Sequence, residues 1–204
     1  MKTKILFTII ILSALVSSCV RGKEVGRCDL SEAQINVIPY KKGQVISFID
    51  SLGQIIDLTV TKYELAWGKT EYGGSGFHED YIKTREATVT LELEPNYLIN
   101  FRLSPYACVN NKGDYCMLSI YLFQFGSQFN FFFDIEGNFL FVTTRYYDSL
   151  EINGKVYYDV KETYHNRNDY ATSPPYKTMQ LFYNKEYGIL QILKDGENFL
   201  TLKN

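Results

Sequence analysis

Apolar and polar residues alternate with a period of two along most of this chain, and turn-forming residues cut the alternation into short runs. Gln44-Val45-Ile46-Ser47-Phe48-Ile49 leads through Asp50-Ser51-Leu52-Gly53 into Gln54–Thr61, where Ile56, Leu58 and Val60 share one face. Two such runs around a glycine-bearing turn predict a β-hairpin, and a third strand is expected through Tyr63, Leu65 and Trp67. Lys69–Asp80, with Gly73, Gly74 and Gly76, reads as a loop. From Ala87 to Glu94 the alternation is clean: Val89, Leu91 and Leu93 face one way, and Thr88, Thr90, Glu92 and Glu94 the other. Pro95-Asn96 then turns the chain.

The second half repeats the scheme with more aromatic residues. Strands are expected over Met117–Phe125, Gln128–Phe133 and Phe139–Tyr146, divided by Gly126-Ser127 and Glu136-Gly137-Asn138. Asn153-Gly154, between Leu150-Glu151-Ile152 and Lys155-Val156-Tyr157-Tyr158, is the strongest hairpin signal, because both residues accept the positive φ of a type I′ turn. His165–Pro175 reads as a polar loop, and Thr178–Tyr183, Gly188–Leu193 and Asn198–Leu202 as the last strands, with Asp195-Gly196 in the final turn. Ser31-Glu32-Ala33-Gln34 has the form of a capping box, but no long apolar stripe follows it, so at most one helical turn is expected. The pattern predicts an all-β fold: an antiparallel meander forming a barrel-like or strongly curved sheet with little helix, since long open edges invite aggregation.

The N-terminus departs from this pattern. Met1-Lys2-Thr3-Lys4 is basic, Ile5–Val16 is uncharged and apolar, and Ser17-Ser18-Cys19 is small, which together make a secretory signal. A spanning helix needs about 20 apolar residues, more than this run supplies. Val16-Ser17-Ser18-Cys19 resembles the lipobox of bacterial lipoproteins, in which a hydrophobic residue and two small ones precede the cysteine that receives lipid. The resemblance implies cleavage before Cys19, a diacylglycerol thioether and an N-terminal acyl chain. At about 0.8 kcal/mol per buried CH₂, three chains make attachment close to permanent. The expected organisation is a signal over 1–18, a lipidated cysteine and tether over 19–37, and a single β domain over 38–204.

Removing residues 1–18 takes away Lys2 and Lys4 and leaves 19 basic against 23 acidic residues. That weak negative balance gives no support for binding nucleic acid through a basic surface. The 14 Phe and 17 Tyr reinforce the β reading, since such residues fit a pleated, half-buried surface. Export to an oxidising compartment favours a disulfide among Cys28, Cys108 and Cys116. Cys108 with Cys116 is the preferred pair, because Val109–Tyr115 is rich in turn residues; the short loop would contribute about 2.5 kcal/mol. The rival pairing ties Cys28 to one of the other two.

Catalytic motifs fail on inspection. Gly68-Lys69-Thr70 invites a phosphate-loop reading, but the glycine needed five residues before the Gly-Lys pair is Tyr63. Gly73-Gly74-Ser75-Gly76-Phe77 lacks the closing glycine of a nucleophile elbow. His78 and His165 both fall in expected loops, and His78-Glu79-Asp80 supplies adjacent side chains that cannot all face one ion. Glu92 and Glu94 share a wet strand face, a common solubility device. No catalytic residue, metal site or cofactor is therefore expected. The remaining lead is aromatic: Trp67, Tyr72, Phe77 and Tyr81 bracket the glycine-rich loop and are candidates for stacking on a glycan or small hydrophobic ligand, against packing of the core and its lid.

Leu181–Ile192 followed by Asp195-Gly196-Glu197, with Pro39-Tyr40-Lys41-Lys42-Gly43-Gln44, Ser47-Phe48 and Ser51-Leu52-Gly53 near the start, resembles the terminal and entry hairpins of uncharacterised β-rich bacterial lipoproteins of the Bacteroidetes type. The likeness covers hairpins and lipobox, and carries no catalytic residue over. A lipid anchor joined to a domain without a recognisable catalytic set leads to the expectation of a non-enzymatic envelope lipoprotein that binds a ligand or partner, with a carrier of hydrophobic cargo and a glycan-binding module as alternatives. Val20-Arg21-Gly22-Lys23-Glu24 lacks an acidic run resembling a surface-export signal, so the outer membrane's periplasmic face is the expected location.

Overall fold

The structure is a computed structural model, and it describes residues 24–71, 81–93, 97–109, 112–140, 145–166 and 178–204. Among these residues the chain forms one sheet of thirteen strands. The strands are β1 (Glu24–Cys28), β2 (Val45–Asp50), β3 (Ile55–Glu71), β4 (Tyr81–Leu93), β5 (Tyr97–Val109), β6 (Lys112–Leu122) and β7 (Ser127–Asp134), then β8 (Phe139–Leu140), β9 (Arg145–Ile152), β10 (Lys155–Asn166), β11 (Thr178–Asn184), β12 (Gly188–Lys194) and β13 (Glu197–Leu202). A single helical turn, α1 (Glu32–Ile35), lies between β1 and β2. The all-β antiparallel meander expected from the alternation is what the chain builds.

Spatial order runs from β8 back through β7, β6, β5, β4 and β3 to β2, then from β13 through β12, β11 and β10 to β9. Two meanders are thus zipped together where β13 pairs β2, Leu200 opposite Asp50 and Leu202 opposite Phe48. β1 stands off this path and pairs parallel to the N-terminal part of β4. Among the described residues the sheet is not closed by backbone pairing. Side chains bridge the seam instead: Lys185 Nζ donates to the Gly137 carbonyl at 3.0 Å, and Tyr183 packs its ring 5.3 Å from Phe131.

Inward positions fill the interior. β7 is the plainest case, with Ser127, Phe129, Phe131 and Phe133 buried and the residues between them partly exposed. The three phenylalanines join Phe48, Leu58, Val60, Val89, Leu91, Phe101, Leu103, Leu118, Ile120, Leu181 and Ile192 in one cluster. Burial of each such side chain is worth roughly 1.5–3 kcal/mol.

Residues 29–40 close one end of this interior. The capping box at Ser31 forms as expected: Ser31 Oγ accepts from the Gln34 backbone N–H at 3.1 Å, and Gln34 Oε1 accepts from that of Ser31 at 2.9 Å. Ser31 Oγ also donates to the Ile135 carbonyl at 2.6 Å, which fastens the turn to the β7–β8 loop. Leu30, Val37, Ile38 and Tyr40 point into the main cluster. The segment expected to be part of a tether is therefore built into the fold from Glu24 onward, because Leu30, Val37, Ile38 and Tyr40 have no regular period yet find the same core.

A second apolar cluster gathers Ile152, Tyr157, Val160, Phe182 and Leu190. Tyr157 and Val160 reach it together, although three positions apart on β10, because Asp159 between them has φ +52°. This left-handed residue interrupts the two-residue alternation and leaves Val156 and Tyr158 exposed. Asn153 and Gly154 have φ 51° and 75°, the geometry expected of the type I′ turn. Elsewhere the sequence pattern and the elements part company. Phe123–Phe125 is a 3₁₀ turn rather than the end of a strand, and β3 continues to Glu71, into the expected loop.

Gly188, at φ +79°, tests the closed end directly, since a Cβ there would collide with the Tyr40 hydroxyl and ring. Gly188→Ala combines a left-handed backbone with a displaced plug residue, and is expected to cost about 2–5 kcal/mol in a urea-unfolding measurement. Burial also holds the phenols of Tyr40 and Tyr183 protonated well above the ordinary value of 10.0. Their contribution to stability is fully present below pH 10.0 and is lost as pH rises towards their folded values, because only the unfolded chain releases these protons. Stability should fall by up to about 2.7 kcal/mol per pH unit above that point, two protons' worth, and less steeply in Tyr40→Phe/Tyr183→Phe.

Candidate functional site

β3 and β4 extend past the main cluster as a paired wing, with β1 along the free edge of β4. Trp67 lies on β3 opposite Arg85, and Tyr81 on β4 opposite Glu71. Trp67 is 48% exposed, and the Lys69 ammonium sits 4.5 Å from the centre of the Tyr81 ring. Of the four aromatic candidates, Tyr72 and Phe77 lie outside the described residues. Trp67 and Tyr81 are four register positions apart, about 13 Å along the strands, so the two do not form a single stacking platform. Ion pairs run along the wing: Glu24 meets Arg27 at 2.7 Å and Lys83 at 2.8 Å, and Arg85 meets Asp29 at 3.3 Å. Hydrogen bonds from Arg27 and then Lys83 hold the Glu24 carboxyl below its usual range.

A cleft of about 490 Å³ opens at the rim beside Tyr40, lined in part by Ser47, Lys155, Glu186, Tyr187 and Lys203. The Lys155 ammonium stands 4.3 Å from the Tyr187 ring centre and 4.9 Å from that of Tyr157. Those two rings meet edge to face at 5.4 Å. Tyr157 Oη donates to Asn204 Oδ1 at 2.5 Å, and Asn204 Nδ2 donates to the Asn153 carbonyl at 3.1 Å, so the C-terminus pins the β9–β10 tip beside β12. A second groove of about 420 Å³ lies across the Pro39-Tyr40 ridge, between Ile38, Lys41, Lys42 and Tyr63. These surfaces offer cation–π and hydrogen-bonding chemistry to a polar ligand. Nothing in the sequence pattern hints at the cleft, because Lys155, Tyr187 and Lys203 come from three separate turns and strand ends.

The seam carries an unusual lysine. Lys161 is 4% exposed, with its ammonium 3.1 Å from the Tyr146 ring centre and 4.8 Å from that of Phe139. Burial lowers its pKa, opposed by the charges of Asp159 and Asp148. Tyr146 Oη donates to Asp159 Oδ1 at 2.7 Å, and this bond is the main cause that raises the phenol to about 12. The arrangement neutralises a buried cation between rings and carboxylates, and we assign it to holding the seam.

The preferred disulfide is corrected. Cys116 is a free, buried cysteine, facing the core with Leu118 and Ile120. On the β5–β6 ladder Cys116 stands opposite Pro105, and Cys108 opposite Gly113. The two cysteines are therefore three register positions apart, about 10 Å, beyond the 4.4–6.8 Å that a disulfide spans between Cα atoms. Cys28, buried on β1, is disulfide-bonded. Burial pushes the Cys116 thiol up to about 12.

Gly68-Lys69-Thr70 lies within a paired strand, which gives its backbone no freedom to cradle a phosphate. Glu92 is on β4, while Glu94, His78 and the side chain of His165 lie outside the described residues. Among the described residues, no group of three or more His, Cys, Asp and Glu side chains gathers to hold a metal ion. No protein-family model matches the chain, and neither a curated protein nor a solved structure matches it.

Alkylation distinguishes the thiols. At pH 8 the native protein should leave Cys116 unlabelled by iodoacetamide; denaturant alone should expose it to labelling, while Cys28 should react only after reduction. Labelling of Cys28 without reductant, read by peptide mass, would contradict the assignment.

Proposed function

We propose that this chain is an envelope lipoprotein, anchored through Cys19, whose β fold binds a ligand or protein partner and performs no catalysis. The observation that carries this reading is Val16-Ser17-Ser18-Cys19 after an uncharged apolar run, followed within a few residues by β1 of the fold. Cleavage and acylation at Cys19 leave a folded body hung from lipid by a short link, on the periplasmic face of the outer membrane. The binding surface is the rim cleft, where Lys155, Tyr187, Glu186 and Lys203 present charge and aromatic area to a polar partner.

The interior weighs against carriage of hydrophobic cargo, because Phe, Leu and Ile side chains together with residues 30–40 occupy the space that cargo would need. A glycan-binding reading is favoured by one observation, the half-exposed indole of Trp67. Metabolic labelling with an alkyne fatty acid tests the anchor. Incorporation that is abolished by Cys19→Ala is the expected outcome, and an unlabelled protein, or label that survives the substitution, would refute it. For the cleft, a photo-crosslinking residue in place of Val45, which is 55% exposed on its lining, should form an adduct in intact cells. Lys155→Ala should weaken the adduct about tenfold while leaving folding unchanged.

A further inference from the structure

We infer that the end of the β3–β4 wing lies on the bilayer that holds the lipid anchor, with Trp67 and the Lys69–Tyr81 pair at the membrane interface; this rests on the acylation of Cys19 proposed above. Cys19 precedes Glu24 by five positions, so the link spans at most about 18 Å however it is extended. Glu24 is the first residue of β1 and stands opposite Tyr81, which itself stands opposite Glu71 at the far end of β3. The chain thus leaves the fold at the wing end.

β3 is seventeen residues long, roughly 50 Å if straight, and the β2–β3 turn lies at its other end. A link of at most about 18 Å cannot carry the far end to the membrane without bringing the wing there first. Trp67 follows the same strand face as Tyr63 and Leu65, which pack on the core, but lies beyond that core and keeps half its surface exposed. An indole with its N–H, a tyrosine and a lysine whose ammonium sits over the tyrosine ring are side chains suited to a headgroup layer, one end apolar and the other hydrated. Val25, on the adjoining β1, adds exposed apolar area to the same end. Proximity to the anchor favours a bilayer over a soluble glycan or a second copy as the partner of this face.

The chain contains one tryptophan, which makes it its own reporter. The acylated full-length mature protein is reconstituted into phosphatidylethanolamine–phosphatidylglycerol vesicles with lipids brominated close to the headgroup. Trp67 emission is expected to shift to the blue and to fall about twofold against unbrominated vesicles. In Trp67→Phe/Leu52→Trp, with the reporter moved to the exposed β2–β3 turn, emission is expected to be unchanged by bromination. Acylated protein that floats with the vesicles while Trp67 stays unquenched and open to acrylamide overturns the docking alone. Docking is overturned equally if both reporters are quenched alike, or if Trp67 is shielded only by added glycan or rising protein concentration. Absence of an acyl mass on Cys19, with protein that does not float, overturns the anchoring reading and the docking with it.

Discussion

The fold depends on how its closed end is sealed. A curved sheet of long strands leaves an apolar interior open at its ends, and at one of them residues 29–40 cross the opening. Their backbone brings polar groups into a dry environment, which costs several kcal/mol for each group left without a partner. Tyrosines meet that cost on both sides of the contact: within the segment, Tyr183 Oη donates to the Val37 carbonyl, and on β12, which the segment covers, the Ile189 N–H donates to Tyr40 Oη at 2.7 Å. Both phenols are fully buried, and their rings pack on Phe131 and Phe101. The same two side chains thus fill volume and satisfy backbone, so the segment between β1 and β2 behaves as core.

That seal explains how an open sheet stands in for a barrel. Among the described residues β8 is Phe139 and Leu140, paired to β7. The seam beside it is bridged by Lys185 on the Gly137 carbonyl and by Lys161 against Phe139 and Tyr146. Gly137 also lies against the Ala33 carbonyl of α1, leaving no room for a Cβ. The β7–β8 turn therefore serves seam and plug together, and loosening one should loosen the other.

Period-two alternation makes the strands of this chain legible, along with the hairpins at Asp50–Gly53 and Asn153-Gly154 and the single capped turn at Ser31. These features are local, each written in a few adjacent residues. What the pattern misses is long-range. The plug reads as tether because Leu30, Val37, Ile38 and Tyr40 are irregularly spaced and their common target comes from distant strands. The cysteine pairing fails for a related reason: Val109–Tyr115 is rich in turn residues, but the register of β5 against β6, which sets Cys108 against Gly113, is not visible in its composition. Exposed Trp67 is legible as a lead, whereas the rim cleft is not, being assembled from Lys155, Tyr187 and Lys203.

Position now separates the two surfaces that could recognise something. The rim cleft is backed by the β9–β10 tip, which Asn204 fastens to the body of the sheet, so its polar groups are held in place before any partner arrives. The wing is held differently, by strand pairing and by ion pairs among Glu24, Arg27 and Lys83 that remain wet and contribute little to stability. A surface stiffened only in this way is poorly suited to selecting one ligand by shape, but sufficient for resting aromatic rings on a lipid interface, which demands depth rather than register. On the anchoring proposed at Cys19, the division of labour follows from the chain's own order: the strand nearest that cysteine supports the wing, and the residues farthest from it in sequence complete the cleft.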